Sequence, residues 1–351
     1  VNIVAIKVFN DIGVDRGIEY AQKLGIKNLV LTGAKNDRQL SAALGGITKG
    51  VTPLELVSAF GTLANEGIHV EPIAILKVVD KNGRTILENK PQQWNAVSKQ
   101  VTFIVTDMLR SVVTEGTGTR LADFPFPVAG KTGTTSDDKD VWWVAYTPHL
   151  AGVVWMGHDD PATMRNVAGG YQPALMWKQI MAVAHEGLPK AQFVKPEGIV
   201  GPIQVCIDSG KLPTEFCKRD PRGHRIRGEY FVKGTQPTET CDVHIEEFID
   251  TTTGLLATEY CPEEVVERQV FIKRPEPYKP SPTGQIPLDA KYEPPTEYCN
   301  EHESAPVITI PDKNDDEGYY DDFENDHEHD VNGNDYDNWG NWFNGNGVPG
   351  F

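Results

Sequence analysis

Three apolar stretches within one short segment limit the fold most: Pro127–Thr134, Val141–Thr147 and Ala151–Gly157. The first gap is the polar run Thr135-Ser136-Asp137-Asp138-Lys139-Asp140, and the second is only Pro148-His149-Leu150. Gaps this short cannot hold the crossover that a parallel pair needs, so three consecutive antiparallel strands are expected. Helical signals flank them. Asp15–Leu24 reads as a short amphipathic helix, with Asp15 as N-cap and Gly25 just past its end. Thr52-Pro53-Leu54-Glu55 is a capping box with proline at the first helical position, and Leu54, Val57, Phe60, Leu63 and Ala64 form the stripe expected to be buried. A third helix starts near Ser98 and carries Val101, Ile104, Val105, Met108, Leu109 and Val112 on one side; Gly116-Thr117-Gly118-Thr119 ends it. Val70–Asp80 and Thr85–Leu87 read as a hairpin around Lys81-Asn82-Gly83. Pro173–His185 is a closing helix, with Leu175, Met176, Ile180, Met181 and Val183 available to cover the sheet. Helices around an antiparallel sheet make an α+β layer arrangement.

Beyond Leu188 the texture changes. Val205–Cys217 resembles Phe248–Cys261, and Thr296-Glu297-Tyr298-Cys299 repeats the ending, so a small β-rich module with a cysteine in each copy is expected. Pro275–Pro295 is proline-rich and extended. From Asp312 to Phe351 there are twelve Asp/Glu against one Lys, which accounts for most of the net charge of −17. Such a tail cannot bury a core and is expected to be disordered. The chain therefore divides into 1–188, 189–311 and 312–351. No basic stripe exists to neutralise phosphates, so nucleic acid is not an expected partner.

The five cysteines, Cys206, Cys217, Cys241, Cys261 and Cys299, all lie in the second half. An oxidising compartment would allow two disulfides with one thiol left over, and sequence does not give the pairing. Zinc is the competing reading; without a Cys-x-x-Cys spacing it is set aside, and no metal or cofactor is expected.

The chemistry centres on Gly130-Lys131-Thr132-Gly133-Thr134-Thr135. Gly133 lets a ligand or another chain lie close to the strand backbone. Thr132 and Thr134 alternate with it and present hydroxyls on one face. A cation with two hydroxyls suits a carboxylate, and the exposed N–H groups of such a strand can pair with an added peptide.

A Lys-Thr-Gly triplet on a strand is one of three signatures of penicillin-interacting serine acyl-transferases, the others being Ser-x-x-Lys and Ser-x-Asn. Further segments carry the resemblance: Asn2-Ile3-Val4-Ala5-Ile6-Lys7, Ala43-Leu44-Gly45-Gly46, Gly50–Leu56, Thr117-Gly118-Thr119 and Asp140–Gly157. The chain resembles the C-terminal part of a class A penicillin-binding protein, a bifunctional peptidoglycan synthase, over residues 1 to about 188. The resemblance implies a penicillin-binding transpeptidase fold, like that of serine β-lactamases. It makes Asn2 the Asn of Ser-x-Asn, although Val4 stands where the family often has proline. The nucleophilic Ser-x-x-Lys, a glycosyltransferase domain and a membrane anchor would then lie upstream, and the chain is expected to be a fragment unable to acylate. Ser136-Asp137-Asp138-Lys139 fits Ser-x-x-Lys by spacing only and is rejected as the nucleophile.

The reaction implied is cross-linking of D-Ala-D-Ala stem peptides through a serine ester, or carboxypeptidase release, with β-lactams trapped at the same site. Asn2 would hold the substrate amide. Lys131 would supply positive potential and help proton transfer, and Thr132 and Thr134 would bind the terminal carboxylate. The Thr134 N–H would form half of an oxyanion hole, and Gly133 and Thr135 complete the binding strand. The parent is expected on the outer face of the cytoplasmic membrane, with cell-wall synthesis proteins as possible partners. The alternative is a non-catalytic wall- or partner-binding module with a transpeptidase remnant. A class A β-lactamase is the third reading, disfavoured by Gly50–Leu56 and the long extension. Of Trp142 and Trp143, strand alternation allows at most one to line a cleft. His158-Asp159-Asp160 reads as a structural loop, and His327 and His329 as part of the solvated tail.

Overall fold

The computed structural model describes residues 2–276, 278–279 and 284–302. The chain begins with α1 (Asn2–Ile12) and α2 (Val14–Lys23), then α3 (Pro53–Ala64). Short strands follow, β1 (Ile68–Val70), β2 (Lys77–Val79), β3 (Thr85–Glu88) and β4 (Gln93–Asn95). After α4 (Lys99–Thr114) come β5 (Ala129–Thr134), β6 (Asp140–Tyr146), β7 (Ala151–Gly157) and α5 (Gln172–Ala184). The C-terminal region contributes β8 (Ile199–Cys206), β9 (Ile226–Val232), β10 (His244–Asp250) and β11 (Val266–Ile272).

The expected three-stranded antiparallel sheet is present in the order β5-β6-β7. Cross-strand register pairs Lys131 with Val144, Thr132 with Trp143 and Gly133 with Trp142. Pleating then separates the neighbouring tryptophans. Trp143 is fully buried with Leu121, Val154, Trp177 and Met181, whereas Trp142 lies against Trp155, ring centroids 5.9 Å apart. Gly152 permits the close approach of α5, since a Cβ there would come within 2.7 Å of the Trp177 indole nitrogen.

The helices form where capping signals lie, but the faces they bury differ from the most apolar stripes. In α3 the Thr52–Glu55 capping box forms as expected, while Leu54 is 61 % exposed and the buried positions are Ala59 and Thr62. In α4 Met108 is 65 % exposed, and Thr102, Thr106 and Val113 face inward. Thr106 can take its place because its hydroxyl finds partners: Oγ1 donates to Thr102 O at 2.8 Å and lies 2.8 Å from the Tyr146 hydroxyl, whereas the Thr102 hydroxyl itself has no hydrogen-bond partner among the described residues. In α5 the inward face is Pro173, Ala174, Trp177 and Met181, whereas Met176, Ile180 and Val183 are exposed. Ala174 and Trp177 fill the tight helix–sheet gap, and Met181 is buried beside them as the sequence stripe expects.

Asp15 is not an N-cap. Gly13 occupies that place in α2, and Asp15 pairs with Arg38 at 3.1 Å. The hairpin at Lys81–Gly83 forms, though its arms are only β2 and β3; Val70 belongs to β1, which pairs with β4.

The C-terminal region consists of two hairpins, β8–β9 and β10–β11, each a two-stranded sheet. It packs on α4. Arg227 bridges Glu115 at 2.7 Å, and Phe103 meets Tyr230 edge-on at 5.3 Å. None of its five cysteines forms a disulfide; all are buried free thiols. The predicted tail, with His327 and His329, lies outside the described residues, as does part of the proline-rich stretch.

Candidate active site

Among the described residues β5 is an edge strand of its sheet, paired with β6 alone. Alternation puts Lys131 and Thr132 on opposite faces, yet the long lysine stem folds back. Lys131 Nζ donates to Thr132 O at 2.8 Å and to Thr132 Oγ1 at 3.3 Å. Thr132 Oγ1 also lies 3.0 Å from Thr117 Oγ1. An ammonium and two hydroxyls thus converge at the strand. The Lys131 side chain reaches solvent, but enough protein surrounds its ammonium that desolvation lowers the pKa from the ordinary lysine value.

Thr117 comes from the loop after α4, whose Gly118 N–H donates back to Val112 O at 2.8 Å. Ala168–Tyr171 closes the other side. A Cβ on Gly170 would sit 2.0 Å from Thr117 O, and one on Gly169 would sit 3.2 Å from Thr132 Cβ. Only glycine lets this loop lie so close.

The predicted residues divide. Lys131 and Thr132 meet directly, joined by Thr117, and Gly133 sits beside Trp142. Thr134 is exposed at the strand end. Thr135 is turned into the β5–β6 connection, where its hydroxyl accepts from Asp140 N at 2.8 Å and its N–H donates to Asp140 O at 3.0 Å. Asn2 is exposed at the start of α1, a helix that packs on α2 and the helical turn Leu40–Leu44. No hydrogen bond joins Asn2 to Lys131 among the described residues. Ser136 lies exposed in the connecting turn, and Lys139 faces Asp137 at 3.8 Å. Thr117 was named only as part of a segment; its convergence with Thr132 is a tertiary fact.

Two carboxylates brace the loop that follows α2. Glu55 accepts from Lys27 N at 2.8 Å, Asn28 N at 3.1 Å and Thr52 N at 2.9 Å, tying the loop after α2 to α3. Burial pushes its carboxyl up, and the donors from Thr52, Lys27 and Asn28 outweigh that, bringing it down to about 2. Asp37, fully buried, accepts from Val30 N and Thr48 N in the same way.

The profile described as "Penicillin binding protein transpeptidase domain" matches residues 1–182, more than half of the chain. The chain belongs to the penicillin-binding protein transpeptidase family. A second profile, "Penicillin-binding protein 1A, C-terminal domain", matches residues 195–246. Penicillin-binding protein 1A of Clostridium botulinum strain Langeland is 39 % identical over 277 residues, covering 78 % of this chain and 33 % of that protein. Penicillin-binding protein 1A of Aquifex aeolicus is 35 % identical over 243 residues, covering 69 % and 31 %. The chain thus spans about a third of the length of the curated relatives it matches. The crystal structure of penicillin-binding protein 1A from Haemophilus influenzae superposes with a TM-score of 0.56 at 26 % identity, over 68 % of this chain and 39 % of that one. The family is one of serine acyl-transferases, and the α+β fold is that of its transpeptidase domain. No helix among the described residues is long and apolar enough to cross a membrane.

Metal-competent side chains gather elsewhere. Cys206, Cys217, Cys241 and His244 form one cluster, and Asp250, Cys261, Cys299 and His302 another. Neither includes His158, Asp159 or Asp160, which are exposed. The spacing that set zinc aside was Cys-x-x-Cys, whereas this chain carries Cys-x-x-His twice, at Cys241–His244 and Cys299–His302. That was the legible signal.

Proposed function

We propose that this chain is the C-terminal part of a class A penicillin-binding protein and supplies the Lys-Thr-Gly half of a peptidoglycan-cross-linking site. The convergence of Lys131, Thr132 and Thr117 on an edge strand within the matched transpeptidase region carries the reading. In this reading a serine upstream of Val1 attacks the D-Ala-D-Ala carbonyl. The Ser–acyl bond forms, the peptide C–N bond breaks, and D-Ala leaves with the proton on its amine. An amine of a neighbouring stem, or water in a carboxypeptidase, then attacks the ester and restores the serine. The ammonium and the threonine hydroxyls hold the terminal carboxylate by charge-assisted hydrogen bonds. Asn2 holds the substrate amide. The Thr134 N–H donates to the developing oxyanion, a contribution of roughly 3–4 kcal/mol to the barrier in such sites. Thr135 shapes the strand end through Asp140. The partially desolvated Lys131 is the proton-relay partner of the serine. β-Lactams enter as mimics of the substrate terminus, and the reaction takes place on the outer face of the cytoplasmic membrane.

Covalent labelling by a fluorescent penicillin tests this in the longer protein that contains the serine. A denaturation-resistant adduct is expected, weakened at least about a hundredfold by Lys131→Ala, as for loss of one oriented electrostatic group. The 351-residue chain alone is expected to stay unlabelled. No adduct from the folded longer protein would overturn the enzyme reading and favour a binding module.

A further inference from the structure

The C-terminal region lacks what normally holds a fold together. Two-stranded hairpins are marginal by themselves, and each of these closes over a core made largely of cysteine. Cys206, Cys217 and Cys241 pack with Ile226 and Val243; Cys261 and Cys299 pack with Ala257, Phe248 and Val266. Regions this small usually require a disulfide or a metal, and disulfides are absent.

In the first cluster the three Sγ atoms and His244 Nδ1 all lie within 4.8 Å of one another. His244 Nδ1 is 3.4 Å from Cys206 Sγ and 3.3 Å from Cys241 Sγ. Tetrahedral Zn–S and Zn–N bonds would set such an S···N edge at about 3.6 Å, so little adjustment is needed. The opposite ring nitrogen, Nε2, is 2.7 Å from Asp220 Oδ2, and Arg222 fixes that carboxylate from two of its nitrogens. A carboxylate on Nε2 holds the proton there and leaves Nδ1 as a lone pair aimed at three sulfurs, the arrangement of an oriented metal ligand. The N–H of Thr214 donates to Cys217 Sγ at 3.4 Å, which suits a thiolate.

The second hairpin repeats this construction. Asp250, Thr258 and Cys261 follow Cys206, Thr214 and Cys217 at one constant interval, and Cys299 and His302 follow Cys241 and His244 at another. The Thr258 N–H donates to Cys261 Sγ at 3.3 Å. Cys241 N–H donates to Leu212 O, and Cys299 N–H to Leu256 O, both at 2.7 Å. His302 Nδ1 lies 3.3 Å from Cys299 Sγ and 2.8 Å from Asp250 Oδ2. Asp250 is fully buried; its Oδ1 accepts from the N–H groups of Thr252 at 2.9 Å and Thr253 at 3.2 Å, which leaves Oδ2 turned toward His302 and the two sulfurs. Three cysteines in one cluster cannot all pair, which argues against a disulfide frame for the first hairpin.

We propose that the C-terminal region holds two tandem structural zinc sites, the first ligated by Cys206, Cys217, Cys241 and His244 where the β8–β9 hairpin meets the start of β10, the second by Asp250, Cys261, Cys299 and His302 beside the β10–β11 hairpin. Thiolate and imidazole donors in a closed four-ligand set favour Zn²⁺ over the hard cations. Zinc binding expels the thiol protons, and the bound thiolates are shielded from oxidation in an extracytoplasmic setting.

Elemental analysis of the 351-residue chain, purified without added metal, tests this. Two zinc per chain are expected, one for each cluster. Cys217→Ser should lose one, Cys261→Ser the other, and the exposed His158→Ala neither. Because the variants could misfold, cobalt exchange into the unaltered chain gives an independent readout: strong visible absorption from tetrahedral thiolate-bound Co²⁺. A metal-free chain with one free thiol after denaturation would overturn the proposal in favour of two disulfides. Zinc loss with Cys217→Ser but none with Cys261→Ser would overturn the second site.

Discussion

The sheet β5-β6-β7 and the hairpins β8–β9 and β10–β11 are both antiparallel, yet they close by opposite means. The sheet is buried under aromatic and aliphatic side chains, with Trp143 and Trp177 at the centre. The hairpins close over sulfur, imidazole and carboxylate. The larger region can hold its strands by apolar area alone, at roughly 25 cal/mol per Å². The smaller one has too little area for that and depends on a few strong, specific bonds. One kind of core degrades gradually under substitution. The other should fail all at once.

Chelation should break this contrast most sharply. Structural zinc is worth on the order of 10–16 kcal/mol in small modules. Removing it should make residues 195–302 protease-sensitive while residues 2–188 keep their protection, as read by limited proteolysis with mass spectrometry. If both regions lost protection together, the two would not be independent.

The reverse experiment is Trp177→Ala. This fully buried side chain should cost about 3–5 kcal/mol of stability in the first region. Zinc content should not change. Thermal unfolding followed by tryptophan fluorescence, with metal analysis on the same sample, checks both parts.

A smaller effect comes from Glu55→Gln, expected to cost about 1.5–3 kcal/mol through loss of a charged acceptor. Its folded pKa of about 2 lies below the ordinary 4.5, so its stabilisation is complete above about 4.5 and is lost as pH falls toward 2. Denaturant melts of the wild type and the variant should therefore converge over that acid range. Convergence on raising the pH instead would contradict the depressed pKa.

Smallest is Thr52→Ala, which removes the α3 cap for about 1 kcal/mol. Its far-UV melting midpoint should fall slightly, and protection of 195–302 should be untouched.

How much was legible varied with the kind of signal. Capping at Thr52, a helix start near Ser98, the β5–β7 strands and the Cys-bearing repeat were all readable, because each depends on neighbours in sequence. The buried faces of α4 and α5 were not. Apolar periodicity favoured Met108 and Ile180, but burial went to Thr106, whose hydroxyl met Tyr146, and to Trp177, which met Gly152. Both choices depend on partners dozens of residues away. The site behaved likewise: the Lys131 triplet was visible, and Thr117 was not.

By itself the sequence determined the order β5-β6-β7, the capped start of α3, the Lys-Thr-Gly strand and the family to which it points. These follow from local backbone preferences and short-range spacing. Only the tertiary structure decided which hydroxyls meet the lysine, which helix faces turn inward, and that five cysteines gather with two histidines and Asp250 in place of pairing. Those outcomes depend on distances between residues remote in the chain, which periodicity and spacing do not encode.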